Sequence, residues 1–238
     1  MSSTRQFPQL APVAQRSVQD LLANSLWIRE LTSEQQARVC AETTERLVPA
    51  GGFACRKGEP VEHWIGVAEG LLKLSIDSPE GKTATLTGIA AGGWFGEGSL
   101  LRTETRRYDA VALRDSRVAL MPRATFSWLL DSSIAFNRFL LDQLNERLGQ
   151  FIGMVEYERL LSPDARIARC VGMLFNAHLQ PNITPRMRLS QEEIGYLSGV
   201  SRQRANQALR VLAEAGLVRL EYGGITVLDV EGLKSYGG

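Results

Sequence analysis

The chain has 238 residues and a mass of 26.3 kDa, which is enough for two modest domains with their own cores. Its composition, 44% hydrophobic and 22% charged, is that of a globular protein, and a net charge of +1 says little about partners. No apolar run has the length of a membrane span and the N-terminus lacks the basic-then-apolar order of a secretory signal, so we expect a cytoplasmic protein with no membrane contact. The isolated Cys40, Cys55 and Cys170 lack metal-ligand spacing, which argues against a disulfide framework, zinc or an iron–sulfur cluster.

The N-terminal half predicts a small β-structure. Residues 1–25 carry scattered polar groups and prolines and predict an irregular extension. Thr32 then starts a short helix as its N-cap, with Gln35 in the reciprocal position of a capping box. From Leu47 to Met121, short β-rich pieces alternate with turns, and half of the 22 glycines fall between Gly51 and Gly98. Many short strands with frequent turns predict an antiparallel barrel or roll.

A long amphipathic helix is predicted from Ile134 to Leu160. Its apolar seam alternates spacings of three and four and comprises Leu141, Leu144, Leu148, Phe151 and Val155. Pairing with a second helix and packing against the chain's own roll both explain such a stripe, and the sequence leaves both open. Ser162, as an N-cap, and Pro163, in the first turn, interrupt the run and mark the predicted hinge between domains.

The segment from Ser190 to Leu212 reads as two short helices with a tight turn. Ser190 and Glu193 form a capping box for the first helix, and Gly199 ends it in the left-handed conformation. Ser201 caps the second helix, whose inward face is formed by Ala205, Ala208, Leu209 and Leu212. Its outward face carries Arg202, Gln203, Asn206, Gln207 and Arg210, with Arg204 near the boundary. Arginines and amides at a helix N-terminus suit base edges and phosphates, and a merely solvated hairpin is the alternative.

Two β-rich runs follow, 217–222 and 225–228, joined across Gly223 and Gly224 as a predicted hairpin. A helix pair followed at once by a short hairpin is the outline of a winged helix-turn-helix, which favours nucleic-acid binding over the solvated alternative.

An antiparallel β-roll, a long helix and a winged helix-turn-helix, in that order, resemble the CRP/FNR family of bacterial transcription regulators over residues 26–230. The most specific matches are Gly96–Leu100 followed by Arg106 and Arg107, similar to the family's phosphate-binding cassette, Arg166–Ala168, and Ser201–Gln203. The resemblance implies an α+β homodimer that pairs through the long helix, binds palindromic promoter sites in double-stranded DNA, contacts RNA polymerase and is not an enzyme. Many members respond to a small effector in the roll, so a nucleotide-like or other small effector is expected in place of a permanent cofactor.

The resemblance assigns roles to regions and residues. The predicted domains are an N-terminal extension (1–25), a β-roll effector domain (26–132), a dimerisation helix (133–161) and a winged helix-turn-helix DNA-binding domain (162–238). The predicted DNA-binding residues are Ser190, Gln191, Ser201, Arg202, Gln203, Arg204, Asn206 and Gln207. The predicted effector-binding residues are Gly96, Glu97, Gly98, Ser99, Arg106, Arg107, Tyr108, Phe151 and Ile152. In this assignment Glu97 accepts a ribose hydroxyl and Arg107 pairs with a phosphate.

Two departures from the family's cyclic-AMP binders carry a hypothesis. Where those proteins have Arg-Ser or Arg-Thr before an Ala, this chain has Arg107, Tyr108, Asp109 and then Ala110. Counted back from Arg166, the Thr-Ser pair that reads adenine falls on Phe151 and Ile152. The first change replaces a small hydroxyl with a large phenol followed by a negative charge, and the second replaces two hydroxyls with bulky apolar side chains. We therefore expect no binding of cyclic AMP in the usual manner.

Other readings remain open. His63 and His178 are the only histidines, and a lone histidine is more often structural than a haem ligand. Cys55, beside Arg56 and Lys57, is either a thiol of lowered pKa that acts as a redox switch or a packing residue. A regulator that needs no ligand, and a ligand-binding module that contacts protein instead of DNA, are the alternative functions. No nucleophile, base and orienting group stand at a telling spacing, which disfavours an enzyme.

Overall fold

In the computed structural model the described residues are 17–78, 80, 81, 83–187 and 189–237. The predicted extension lies outside them up to residue 16. Its remainder was predicted wrongly as irregular, because Val18–Asn24 form helix α1, with Ser17 and Asp20 as a capping box. This helix buries Val18, Leu21 and Leu22 against the roll. Seven residues give too little periodicity for recognition from sequence, and packing supplies the stability that so short a helix lacks.

The N-terminal unit is a β-roll flanked by helices. A 3-10 turn (Trp27–Glu30) and α2 (Ser33–Glu42) precede it, and the predicted capping box of Thr32 and Gln35 is confirmed. The strands are β1 (Thr44–Val48), β2 (Phe53–Cys55), β3 (His63–Glu69), β4 (Leu71–Asp77), β5 (Thr83–Ala90), β6 (Trp94–Phe95), β7 (Asp109–Ala112) and β8 (Ser116–Pro122). They pair antiparallel in two sheets, of order β1-β8-β3-β6 and β2-β7-β4-β5.

Helices close one side of the roll. They are α3 (Glu97–Arg102), between β6 and β7, then α4 (Arg123–Ser132) and α5 (Ile134–Leu160). An aromatic cluster joins the 3-10 turn, the roll, α4 and α5, with ring centroids 4.5–5.7 Å apart, and comprises Trp27, Trp64, Trp94, Phe126 and Phe136. Aromatic packing of this density anchors the start of α5 on the roll.

The two explanations of the α5 stripe hold for different parts of the helix. Near its start, Phe136 and Leu140 are buried against the roll. Along the seam, Leu141 is 66% exposed and Leu148 58% exposed, and Phe151 and Val155 are exposed as well. The helix therefore packs on its own roll with its first turns and leaves the seam open.

The C-terminal unit begins at the predicted break, where Ser162 caps a helix with Pro163 in its first turn. Its elements are α6 (Pro163–Met173), β9 (Arg186–Met187), α7 (Gln191–Ser198), α8 (Arg202–Glu214), β10 (Val218–Glu221), β11 (Gly224–Val227) and α9 (Val230–Ser235). The three strands pair in the order β10-β11-β9. The α+β fold predicted from the sequence is confirmed.

Local signals placed the helix pair correctly. Ser190 and Glu193 form the capping box of α7, Gly199 ends α7 with φ +65°, and Ser201 caps α8. The four predicted inward residues of α8 are fully buried. The unit also leans on the roll, since Leu71 of β4 belongs to the same buried cluster.

Candidate functional site

The outward face of α8 is open and polar. Arg202, Gln203, Gln207 and Arg210 are exposed, while the opposite side of the helix is buried in the C-terminal core. Because Ser201 caps the helix with its side-chain oxygen, these residues occupy the first turns of a well-defined helix. Long donors at a helix N-terminus that faces outward are arranged to contact a nucleic-acid groove.

The other predicted DNA-binding residues are bonded within the protein. The hydroxyl oxygens of Ser190 and Ser201 accept the backbone N–H groups of Glu193 and Arg204, at 3.2 Å each. Gln191 Nε2 donates to Asn206 Oδ1 at 3.1 Å, which ties α7 to α8. These groups fix the geometry of the helix pair, and their role toward DNA stays a prediction.

Arg204 also has a partner inside the C-terminal unit. Its Nη2 lies 2.8 Å from Asp164 Oδ1 on α6, and its side chain is 30% exposed. Of the two arginines among the predicted DNA-binding residues, Arg202 and Arg204, only Arg202 is thus placed on the open face of α8.

Sequence analysis missed the tip of the hairpin. Tyr222, between β10 and β11, is 83% exposed. A cleft runs from Ser190 and Arg202 to this hairpin and is lined by both. The signal was present in the sequence, because an aromatic side chain at a hairpin turn cannot be packed inside the hairpin.

A buried carboxylate marks the candidate effector site in the roll. Glu97, the first residue of α3, is 2% exposed, and its Oε1 lies 2.7 Å from Nε of Arg147 on α5. Nε1 of Trp64 donates to its Oε2 at 3.3 Å. Arg147 also donates through Nη2 to the Trp94 carbonyl. The predicted ribose acceptor is therefore already bonded to side chains of the protein.

The amide of Gln143, one turn before Arg147 on α5, faces the same carboxylate, although its Nε2 makes no well-formed hydrogen bond to a described residue. Burial opposes ionisation of Glu97, but the Arg147 guanidinium and hydrogen bonds outweigh it and hold the pKa of this carboxyl below its usual range. Glu97 is thus an ionised group whose charge is neutralised locally by α5.

The two cassette arginines differ in direction. Arg106 is 4% exposed, donates through Nη2 to the His63 carbonyl, and has no partner for Nη1 in the part of the chain that the structure describes. A Cβ on Gly96, which has φ +96°, would lie 2.1 Å from that Nη1. Arg107 instead points outward and pairs with Glu104 at 2.6 Å. The guanidinium available inside the roll therefore belongs to Arg106.

The remaining cassette residues differ in burial: Ser99 is buried, Tyr108 is partly buried and Gly98 is exposed. The ring of Tyr108 lies 6.5 Å from that of Phe95, and burial and the Glu97 carboxylate raise the pKa of the phenol. Ser99 is buried and Gly98 has open space at its Cα. Tyr108 thus remains a neutral hydroxyl beside Glu97 and Arg106.

Cys55 lies near the same groups. Burial raises the pKa of its thiol, although Arg106 acts in the opposite direction. The interpretation of Cys55 as a thiol of lowered pKa was therefore wrong. Arg56 and Lys57, its neighbours in sequence, are exposed to solvent, whereas the Cys55 side chain is buried. Cys55 belongs to the buried core of the roll.

The two bulky residues on α5 do not close the site in a single chain. Phe151 is 39% exposed and Ile152 is 61% exposed, and their contribution to an effector site stays a prediction. Sequence reasoning missed Arg147. It lies four residues before Phe151 on the same side of α5, so helical spacing from Phe151, which was assigned by counting back from Arg166, was the available signal.

The described residues offer neither a metal site nor a membrane span. They contain no group of three or more His, Cys, Asp or Glu side chains with metal-binding geometry. Their helices include none that is both long and apolar enough to cross a membrane.

Comparison with known proteins covers both units. The family model "Cyclic nucleotide-binding domain" matches residues 45–133, and "Crp-like helix-turn-helix domain" matches residues 165–236. The CRP-like cAMP-activated global transcriptional regulator of Mycobacterium tuberculosis is 28% identical over 192 residues, 78% of this chain and 84% of the relative. The cyclic AMP receptor protein of Thermus thermophilus is 29% identical over 184 residues, 77% of this chain and 83% of the relative.

The fold has the same match among solved structures. FixK2 from Bradyrhizobium japonicum is similar with a TM-score of 0.68 and 18% identity, over 82% of this chain and 98% of that one. The relative from Mycobacterium tuberculosis is a transcriptional regulator and not an enzyme. The roll, the long helix, the winged helix pair and both domain matches together show that the chain belongs to the CRP/FNR family of transcription regulators.

Proposed function

We propose that the protein is a homodimeric, sequence-specific DNA-binding transcription regulator whose roll responds to an anionic effector. This effector is not cyclic AMP bound in the usual manner. The observation that carries DNA binding is the open face of α8, where Arg202, Gln203 and Gln207 are exposed at the capped end of the helix. Arg202 suits bidentate contact with guanine, and the amides suit adenine.

Dimerisation is supported by the seam. Leu141, Leu148, Phe151 and Val155 are all exposed along one face of a 27-residue helix. A second copy of α5 buries such a stripe by isologous pairing and spaces two recognition helices for successive major grooves. This arrangement fits a palindromic promoter site. We propose that the dimer bound at such a site contacts RNA polymerase.

The effector proposal rests on charge. Glu97 is neutralised by Arg147, which leaves Arg106 as a buried cation with an unpartnered Nη1 among the described residues. A buried unpaired charge is costly, so the interior favours an anionic acceptor beside Arg106. Since Glu97 already accepts from two side chains, a ribose hydroxyl has to compete with Arg147. The names of two relatives include cyclic AMP, but in this chain Tyr108 stands where the family's cyclic-AMP binders have a small hydroxyl.

One observation also favours a regulator that needs no ligand. Arg147 occupies the carboxylate from inside the protein, as an effector hydroxyl would from outside. Native mass spectrometry of protein purified from cells separates the two candidates: a bound small molecule supports the effector-controlled regulator, and an empty dimer that binds DNA with full affinity supports the ligand-independent one.

The test of DNA binding uses duplexes selected by the protein from a random pool. Fluorescence anisotropy across a salt series is expected to show sequence-dependent binding that weakens steeply as salt rises, because phosphate contacts release counterions. Equal affinity for selected and random duplexes contradicts sequence-specific regulation and supports the module that contacts protein. In calorimetric titration, micromolar affinity for cyclic AMP overturns the effector proposal.

A further inference from the structure

A buried glutamine joins the C-terminal unit to the open edge of the sensor roll. Strand β5 is the last strand of its sheet, so within the described residues one of its edges has no strand beside it. Gln180, which follows α6 and is 2% exposed, covers that edge. Its Oε1 accepts the Ala90 N–H and its Nε2 donates to the Gly88 carbonyl, at 3.1 Å each. The side-chain amide thus substitutes for a neighbouring strand.

The surroundings of Gln180 require close approach of the two units. A Cβ on Gly88 would lie 2.7 Å from Leu197 Cδ2 on α7. A Cβ on Gly92 would lie 2.7 Å from Asn182 Nδ2. Because these positions lack side chains, the C-terminal unit rests directly on the backbone of β5 and the turn after it. A small displacement of Gln180 therefore breaks both hydrogen bonds that its side chain makes to β5.

Adjacent residues of α5 connect this contact to the effector site. Arg147 binds Glu97 in the roll, and its neighbour Glu146 accepts from Asn176 Nδ2 through Oε2 at 2.6 Å. Oδ1 of Asn176 in turn accepts the backbone N–H groups of His178 and Leu179, at 3.0 and 2.8 Å. Asn176 therefore shapes the turn that delivers Gln180 to β5.

We propose that Glu146, Asn176 and Gln180 form a relay that couples the occupancy of the Glu97 site to the docking of the DNA-binding domain. An effector that competes for Glu97 displaces Arg147 and with it the adjacent Glu146. The Asn176 turn then loses its anchor, and Gln180 leaves the β5 edge. The inference rests on the proposed function, since it takes the roll as a sensor and the C-terminal unit as the DNA reader.

A second set of contacts holds the units together without this relay. Thr85 Oγ1 of β5 donates to the Tyr196 carbonyl at 2.7 Å, and Arg114 pairs with Glu193 at 2.6 Å. Neither contact involves α5. Thr85→Val is therefore a matched control, because it removes a hydrogen bond from the same interface but from outside the relay.

The test measures amide hydrogen exchange at Ala90 in the free, full-length protein. Gln180→Leu is expected to speed exchange of this amide about tenfold, because its acceptor is lost. Glu146→Ala is expected to have the same effect at a distance, and the double variant is expected to exchange no faster than Gln180→Leu alone. Thr85→Val is expected to leave the Ala90 amide at the wild-type rate. Wild-type exchange at Ala90 in Glu146→Ala overturns the relay.

The effector end is tested by Glu97→Gln combined with Arg147→Gln, which leaves neither charge unpaired. This pair of substitutions is expected to speed Ala90 exchange when Gln180 is present. In a chain that already carries Gln180→Leu, it is expected to cause no further increase. Peptides from β3 report global unfolding: if they lose protection equally, the effect is not relayed, and the Glu146→Ala result decides. An additive effect in the Gln180→Leu background overturns the coupling.

The outcomes separate the relay from the proposed function. Hydrogen exchange needs neither DNA nor effector, whereas the proposed function is tested by anisotropy with selected and random duplexes. Sequence-specific DNA binding with no coupling at Ala90 contradicts the relay alone. Coupling at Ala90 in a protein that does not discriminate duplexes contradicts the proposed function alone.

Discussion

The outward faces of α8 and α5 differ from the interior of the roll in what their side chains already contact. Arg202 and Leu141 are exposed, and they gain interactions only from a partner. Glu97 and Arg147 are bonded to each other inside the fold. Helical periodicity alone predicts an open face, but a closed polar cluster depends on which elements meet. The polar face of α8 is therefore defined by local sequence, and the Glu97 cluster by tertiary packing.

The largest expected effect concerns the seam. Leu141→Asp is expected to weaken dimerisation by about 3–6 kcal/mol, because each protomer loses a buried leucine worth about 1.5–3 kcal/mol. Leu47→Asp is the matched control, since Leu47 on β1 is 65% exposed and Leu141 is 66% exposed. Sedimentation equilibrium measures both. An unchanged dimer in Leu141→Asp contradicts the proposal that the seam is the dimer interface.

Breaking the closed cluster is expected to cost stability. Glu97→Leu leaves the Arg147 guanidinium inside the protein without its carboxylate, and the free energy of unfolding is expected to fall by about 3–5 kcal/mol. Urea denaturation measures the loss. Adding Arg147→Met to Glu97→Leu is expected to restore most of it, because no unpaired charge remains. A loss below that of an ordinary surface substitution contradicts a closed interior.

The open reading face is expected to behave in the opposite way. Arg202→Ala is expected to lose about 1–3 kcal/mol of binding to the selected duplex, through loss of a base contact. Its unfolding free energy is expected to stay within about 0.5 kcal/mol of wild type, because the side chain is exposed. Anisotropy and urea denaturation measure the two quantities. An equal loss on random DNA means that Arg202 grips only the backbone.

The smallest expected effect is a dependence on pH. The pKa of Glu97 is lowered in the folded chain, so its ionised form contributes stability at pH values above the ordinary glutamate pKa. This contribution is lost as the pH falls through the lowered pKa, with a slope of at most about 1.4 kcal/mol per pH unit for one proton. The Glu97→Gln, Arg147→Gln pair is expected to lack this part of the acid loss. Identical acid unfolding profiles contradict the assignment.

Much of the helix pair α7 and α8 could be predicted from the sequence, because the residues that start and end these helices act over a short range. Ser190, Glu193, Gly199 and Ser201 act on residues within one turn of themselves, so the helix ends followed from sequence. In the cassette, the motif assigned the phosphate contact to Arg107, whereas Arg106 is the arginine that enters the roll. Whether Arg106 or Arg107 enters the roll depends on a strand register that no local pattern reveals.

Caps and apolar periodicity are local properties, so the order of roll, long helix and winged helix pair and the polar face of α8 could be predicted from the sequence. Packing between distant elements, in contrast, brings Arg147 of α5 to Glu97 of α3, fifty residues earlier in the chain, and places Gln180 over the edge of β5. Such contacts follow from how distant elements pack, since burial leaves each polar group only the partners that the fold brings to it.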